Sequence, residues 1–380
     1  MYYLLGGSGY HNFGDELMVR GWLNQLIRNG VPAKNIIVDG ASQDKLAHAF
    51  DNLVDGVQFT EQINALSQNS QSKNFWMNFK RGVTFYDRGG FDKYPTLKKS
   101  PHNIINASII HLHGGGYLNK HFAKKGFLLG VAISTSLKTG CTLVGTGIGL
   151  VPLDLPPVEM RDEVRTYLEA FDFIESRDEE SAVILRKISP EANIISGVDD
   201  TFVDTISYDG QGMHRLHISW NYRQTETAEF KKTMRYIEDN AKHYDEITFW
   251  HCAKNDDGTW GILSSAFPKI RTLSFQNLIS NPLPVSQGDH MLSARFHPHL
   301  IAARGGAIGG YFSPGQYYDI KHGSICSVGS GFFNIASRDL TGKAFESASN
   351  SLAGNASIIC KNKELLLQSI LAKVKNTYAN

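Results

Sequence analysis

Short apolar runs recur along the first half of the chain. Each is followed by glycines or a polar turn, then by a stretch with apolar residues every three or four positions. The runs at 2–6, 35–38, 108–113, 141–146, 171–175 and 193–196 read as strands. Several are apolar almost throughout, as strands buried on both faces of a parallel sheet must be. Between 15 and 29, Met18, Trp22, Leu26 and Ile27 fall on one helical face, and Gly30 stands where a helix stops. Further helices are expected at 158–170 and 178–188. Strand–helix alternation of this kind builds a doubly wound parallel sheet.

A polar, glycine-containing stretch, "ISYDGQGM" at 206–213, interrupts the pattern, which then restarts. Strands are expected at 215–220, 246–252, 271–275, 290–294 and 306–312. A helix at 226–243 carries Phe230, Met234, Ile237 and Ala241 as its apolar stripe, and 362–378 reads as a strongly amphipathic helix. The expected organisation is α/β: one Rossmann-like domain over 1–207 and a second over 208–380, the latter including the C-terminal helix. Two such domains joined by one linker would face a cleft at the carboxyl ends of both sheets.

Residues 59–105 fit neither half. There Phe75, Trp76, Phe79, Phe85, Tyr86, Phe91 and Tyr94 alternate with Lys80, Arg81, Arg88, Lys93, Lys98 and Lys99. One reading is a surface excursion whose aromatics cover the core. The other is a sugar-stacking patch, or a peripheral membrane contact through 75–99.

Composition narrows the classes. Of the 380 residues, 42% are hydrophobic and 20% charged, enough for two real cores. A formal charge of +1 argues against nucleic acid, so anion binding must be local. Cys141, Cys252, Cys326 and Cys360 stand far apart with no C-x-x-C pair, which fits a reducing compartment and no zinc site. No segment reaches the roughly 18 apolar residues of a membrane span. A cytoplasmic protein is expected, with the inner face of the membrane as its one candidate surface.

The candidate chemistry lies in loops that follow strands. "GGSGYHNFGDE" (6–16), "GGGYL" (114–118), "TGIGL" (146–150), "SRDEES" (176–181) and "RFHPH" (295–299) should all open on one side. Glycines there permit tight turns or close approach to a ligand. The first loop is no dinucleotide fingerprint, because Gly14 follows Gly9 by five residues where three are needed, and no P-loop lysine follows. In "RFHPHLIAARGG", Pro298 suits a first helical turn, which would put His297 at the N-cap. Arg295 and His297 then flank a positive helix end, an arrangement suited to a phosphate or carboxylate. Arg177 is a second candidate cation, with pairing to Asp178 or Glu175 as its alternative. His251, after the second strand of the second domain, reads as a structural histidine, with reach into the cleft as its alternative. No spacing suggests a metal site.

Taken in order, these pieces resemble the polysaccharide pyruvyl transferase family. "HNFGDE", "HGGGYL", "GTGIG", "SRDEES", "DDTF" (199–202) and "RFHPHLIAA" are similar to its successive elements and cover about half the chain. His111 and His113, Pro298 and the 59–105 stretch depart from the family pattern. The resemblance implies a GT-B-like fold with the acceptor on the first domain and the donor on the second. It implies transfer of the pyruvyl group of phosphoenolpyruvate to two hydroxyls of one sugar in a polysaccharide or its lipid-linked precursor, with no further cofactor. It further implies donor-binding roles for Arg177 and Arg295 and an essential role for His297. Gly9, Asn12, Gly14, Gly115, Gly116 and Gly147 would line the substrates.

Two carboxylates at the start of a helix would repel a donor phosphate. Asp15 is therefore expected to serve the acceptor hydroxyl, with His113 as the alternative, and Glu16 to be structural. The competing functions are a GT-B glycosyltransferase that uses a sugar nucleotide and a non-catalytic sugar-binding protein.

Overall fold

The apolar runs form two separate sheets, every strand parallel to its neighbours. The computed structural model describes residues 1–378 except 52–53, 71, 95–96, 98–99, 101–102, 210–211 and 281, with side chains as far as Lys373. Lys98 and Lys99 thus lie outside the described residues. The first sheet comprises β1 (Tyr2–Leu5), β2 (Ile36–Asp39), β3 (Gln58–Thr60), β4 (Ile109–Leu112), β5 (Thr142–Ile148), β6 (Phe173–Ser176) and β7 (Ile194–Ser196). Their order is β3-β2-β1-β4-β5-β6-β7. The second sheet holds β8 (Arg215–Ser219), β9 (Glu246–Trp250), β10 (Arg271–Leu273), β11 (His290–Ser293), β12 (Ile308–Tyr311) and β13 (Phe333–Asn334), in the order β10-β9-β8-β11-β12-β13. Both are doubly wound, as expected, and each gains one strand that the periodicity did not show. At three and two residues, β3 and β13 are too short to display any period.

Doubly wound sheets reverse direction beside their first strand, and the loops after the flanking strands splay apart there. In the first sheet that point lies between β1 and β4. In the second it lies between β8 and β11.

Contacts divide the chain into two units. One holds Met1–Tyr10, Asp15–Asp204 and Asn362–Asn380, the other His11–Gly14 and Thr205–Lys361. Two assignments therefore change. The C-terminal helix runs Leu352–Tyr378, starting ten residues before the expected position, and from Asn362 onward it joins the first unit, not the second. Its residues Leu367, Ile370 and Leu371 are buried there, and so is Lys363. The four residues His11–Gly14, expected in the first domain, join the second unit.

The aromatics of the 59–105 stretch cover the core, the first of the two readings. Helix Phe75–Val83, capped by the Asn74 side chain, packs along helix Lys125–Thr139. Gly82, Gly126 and Gly130 let the two backbones approach; a Cβ at any of them would overlap a backbone carbonyl of the facing helix. Phe75, Trp76, Phe79 and Phe91 are buried, and Phe85 and Tyr86 pack on the same cluster. These rings are thus turned away from any membrane or sugar, and only Tyr94 keeps substantial exposure, at 40%. No helix among the described residues is long and apolar enough to cross a membrane.

Candidate active site

At the switch point of the first sheet, the loops after β1, β4 and β5 are stitched together by short contacts. Gly9 has φ +85° and lies close to the backbone of Ala41 and Ser42. Its N–H donates to Glu16 at 2.9 Å, so the fully buried Glu16 is a loop anchor, the structural role expected of it. Gly115 N–H donates to the Gly147 carbonyl at 3.2 Å, and the Asn119 side chain donates to the Gly116 carbonyl at 2.7 Å. Gly147 has φ +56°, and a Cβ there would stand 2.7 Å from the Asp200 carboxyl carbon. The space these glycines leave is thus taken in part by Asp200.

Asp200, from the "DDTF" element, is the hub of this end of the unit. Its carboxylate accepts from Gly114 N–H at 2.7 Å, Thr146 Oγ1 at 2.7 Å, Trp22 Nε1 at 2.9 Å and Lys363 Nζ at 2.6 Å. Lys363 also contacts Glu175. Burial would raise the Asp200 pKa, but the Lys363 ammonium, with the hydrogen bonds from Lys363 and Thr146, outweighs it and holds the carboxyl below its usual range. Asp200 and Lys363 carry no apolar periodicity of their own, and the pairing of positions 163 residues apart left no local signal in the chain.

Asp15 is half-buried beside this hub, with Oδ1 within 3.8 Å of where a Gly115 Cβ would be. Its charge reaches Tyr10, Tyr117 and Lys125. Burial pushes Lys125 down to about 8, against the pull of Asp39 and Asp15. His113 is fully buried, its ring packed on Gly6, and burial pushes its pKa down to about 4. His111 is buried between Tyr2 and Thr146, at 2.6 and 2.7 Å, and is lowered to about 3 by the same cause. Of the acceptor-side candidates, Asp15 keeps the greater access to solvent.

Arg177 is buried, with Nε 3.7 Å from Asp178 and a terminal nitrogen 3.8 Å from Asp199. Its guanidinium lies against Gly149, where a Cβ would stand 2.5 Å away. The carboxylate pairing is thus present, with Asp199 in place of Glu175.

In the second unit, the loop after β11 leads into helix Phe296–Arg304. The N-cap is Arg295, not His297 as the position of Pro298 suggested. Ser293 Oγ accepts from Arg295 N–H at 3.0 Å and holds that residue extended, so the helix opens at Phe296, two residues before the expected start. His297 becomes the second helical residue and Pro298 the third, still where an N–H has no helical partner. The Arg295 guanidinium donates to Asn255 at 2.9 Å and to Asp256, a fully buried residue. Asp256 is itself fixed by Cys252 N–H and Ala253 N–H, both at 3.0 Å. Burial raises the Asp256 pKa, against the pull of Arg295.

His11–Gly14 lie on this same loop cluster. Asn12 bridges Ala253, Phe13 N–H donates to the Cys252 carbonyl at 2.9 Å, and His11 stacks on Phe275 at 5.0 Å. A Cβ on Gly14 would overlap the His297 ring. Asn12, Gly14, Arg295 and His297 therefore form one group, while Asp15, Gly9, His113, Gly115, Gly116, Gly147 and Arg177 belong to the first unit. His251 Nε2 lies 2.8 Å from the Asp257 carboxylate. Among the described residues no three His, Cys, Asp or Glu gather as a metal site.

Two doubly wound parallel domains with glycine-rich loops at their switch points define an α/β protein of the GT-B class. The chain belongs to the polysaccharide pyruvyl transferase family, whose profile matches residues 12–306, and it is accordingly a transferase. No curated protein matches the sequence. Among solved structures, the UDP-GlcNAc 2-epimerase of Methanocaldococcus jannaschii is similar at TM-score 0.52 and 10% identity, covering 98% of this chain and 99% of its own. The UDP-GlcNAc 2-epimerase of Neisseria meningitidis, bound to UDP-GlcNAc, scores 0.51 at 11% identity, with 98% and 100% covered. A glycosyltransferase of Rickettsia africae scores 0.51 at 13% identity, with 100% and 99% covered. At such identities the likeness is one of fold.

Proposed function

We propose that the chain transfers the pyruvyl group of phosphoenolpyruvate to two hydroxyls of a saccharide, forming a cyclic ketal and releasing phosphate. The acceptor is a sugar of a polysaccharide or of its lipid-linked precursor, met on the cytoplasmic side. The observation that supports this reading is the Arg295–His297 pair at the start of a helix, with Arg295 oriented by a buried carboxylate. A guanidinium held this way suits a small phosphate- and carboxylate-bearing donor.

In this reading C3 of the donor gains a proton and positive charge develops at C2. One sugar hydroxyl adds to C2 as it loses its proton, and the C2–O bond to phosphate breaks. A second hydroxyl then adds to C2, closing the ring and giving up its own proton. Arg295 and Arg177 serve the donor anion. His297 protonates the donor or stabilises departing phosphate, and Asp15 takes the proton of the attacking hydroxyl. Charge on the donor is met by arginine, with no metal or further cofactor assigned.

Incubation with phosphoenolpyruvate and candidate saccharides is expected to release phosphate and yield a ketal with a new carboxylate. Sugar nucleotides as donors are expected to give no transfer. The fold likeness to a UDP-GlcNAc 2-epimerase and a glycosyltransferase favours a glycosyltransferase as the second reading, and transfer from a sugar nucleotide alone would establish it. Arg295→Ala and His297→Ala should each lower turnover roughly 10²–10⁴-fold; His297→Ala should melt nearly as wild type does, whereas Arg295→Ala should lose some stability because it leaves buried Asp256 without its cation. Unfolding of both variants would make these residues structural and overturn the assignment.

Gly14→Ala tests the packing on His297. Alanine suits a helix better than glycine by about 1 kcal/mol, but its methyl would overlap the His297 ring, and overpacking of that kind costs about 1–3 kcal/mol, so stability should fall modestly. The added methyl must displace the imidazole, and a shift of about 1 Å in a reacting group can cost 10²-fold in rate. Turnover should fall by at least about tenfold; an unimpaired Gly14→Ala enzyme would show that the position of the ring does not matter.

A further inference from the structure

A cavity of about 410 Å³ opens in the first unit beside Tyr10, walled by the segment that follows the "GGGYL" turn. Four lysines line it: Lys73, Lys120, Lys124 and Lys125. The opposing carboxylates are few. Lys120 meets Asp154 at 3.4 Å, and that aspartate is mostly exposed; Lys125 feels Asp39 and Asp15 at longer range. Lys124 Nζ donates to the Gln68 carbonyl at 2.7 Å, and buried Lys125 is held by Asn64 Oδ1. Neither contact neutralises an ammonium. Tyr10 and Phe122, 47% and 48% exposed, stand in the same wall, and Lys125 lies 5.8 Å from the Tyr10 ring centre. The fold does not need this concentration of positive charge, since lysines crowded around one hollow repel one another.

We propose that this cavity is a subsite for a diphosphate group carried by the acceptor. The inference rests on the transfer reaction proposed above and specifies its acceptor as a sugar diphosphate. Lysine ammoniums act as compact point charges for phosphate, and several converging cations suit a polyanion better than one carboxylate. The volume accommodates two phosphates and part of what they carry. The exposed rings of Tyr10 and Phe122 offer apolar faces to the sugar on one side or to the carrier on the other. Tyr10 belongs to the loop that continues to Asp15, so a diphosphate held here anchors the acceptor within the unit that bears its proposed base. A carrier of nucleoside or of polyprenyl type would present the same diphosphate.

The test is a titration of the full chain with inorganic pyrophosphate, wild type against Lys73→Glu/Lys124→Glu. Wild type should bind, with affinity falling as salt rises. The double variant should bind at least tenfold more weakly, and Lys138→Ala, remote and paired with Asp87, should bind as wild type does. Arg295→Ala should lose transfer yet keep pyrophosphate binding, which separates this subsite from the donor site. Competition by UDP stronger than by farnesyl diphosphate assigns a nucleoside carrier, and the reverse order a polyprenyl one; both support the proposal. Wild-type binding that the lysine variant does not weaken, or that is lost in Arg295→Ala, overturns it. So does absence of pyrophosphate binding in an enzyme that still pyruvylates a saccharide, a result that leaves the transfer reaction standing.

Discussion

Lys363→Met is expected to destabilise the first unit by about 3–5 kcal/mol, the usual consequence of removing one partner from a buried ion pair. Lys363 is fully buried, with Nζ against Glu175 and 2.6 Å from Asp200. Burial alone would lower its pKa, but Asp200 and Glu175 raise it overall, so it stays an ammonium. Without it, two carboxylates would share a space closed to water. One must take a proton or the region must open. Glu175 is the one to yield, since burial already raises its pKa against the pull of Lys363, while Asp200 is held down. Methionine fills most of the lysine stem's volume, so the loss reads charge and not cavity. For a unit of this size the melting temperature should fall by roughly 10 °C. Glu175→Gln added to Lys363→Met should restore part of that loss. Urea unfolding of the two single variants and the double supplies the cycle. Additive effects, or a single variant as stable as wild type, would show that the contact contributes nothing.

Mild acid is expected to weaken both units well before carboxylates protonate. Burial lowers the pKa of His111 to about 3 and of His113 to about 4 in the first unit, and of His322 to about 3 in the second. His299, stacked on His322 with their Nδ1 atoms 2.9 Å apart, is depressed in the same direction. Each ring is neutral in the folded chain and titrates near 6.5 when unfolded. Above about pH 6.5 neither state holds the proton and the depressed pKa has no effect on stability. As pH falls below that value the unfolded chain gains protons that the folded one refuses. Each imidazole then removes about 1.4 kcal/mol per pH unit until its folded pKa is reached. Two of them in the first unit remove about 3 kcal/mol per pH unit, against a usual domain stability of about 5–15 kcal/mol. Urea midpoints at pH 7, 6 and 5 should decline steadily. A flat profile over that range would show that these rings accept protons in place.

Much of the architecture was legible because it depends on near neighbours in the chain. Both sheets, all eleven expected strands within a few residues and the helices at 15–29 and 178–188 follow from apolar runs and helical stripes. Parallel strands buried on both faces need apolar residues at nearly every position, and that is a strong local mark. The ordered loop elements were legible for a similar reason, since a tight turn after a strand needs glycine wherever it occurs.

Other features had no local mark. The aromatic alternation at 75–94 left two readings open, aromatics covering the core or a surface patch, because the glycines that decide for the core, Gly126 and Gly130, lie some forty residues further on. The helix-start position of His297 depended on one hydrogen bond from Arg295 to Ser293, which moved the cap by two residues. The C-terminal helix showed its stripe but not its destination. The chain alone thus determined which segments form strands, which turns need glycine, and the family to which their order belongs. Only the tertiary structure decided that Lys363 closes a buried charge cluster, that His11–Gly14 join the second unit, and that four lysines share one hollow. Those outcomes depend on desolvation and charge among residues distant in sequence, and such energies exist only once the chain has folded.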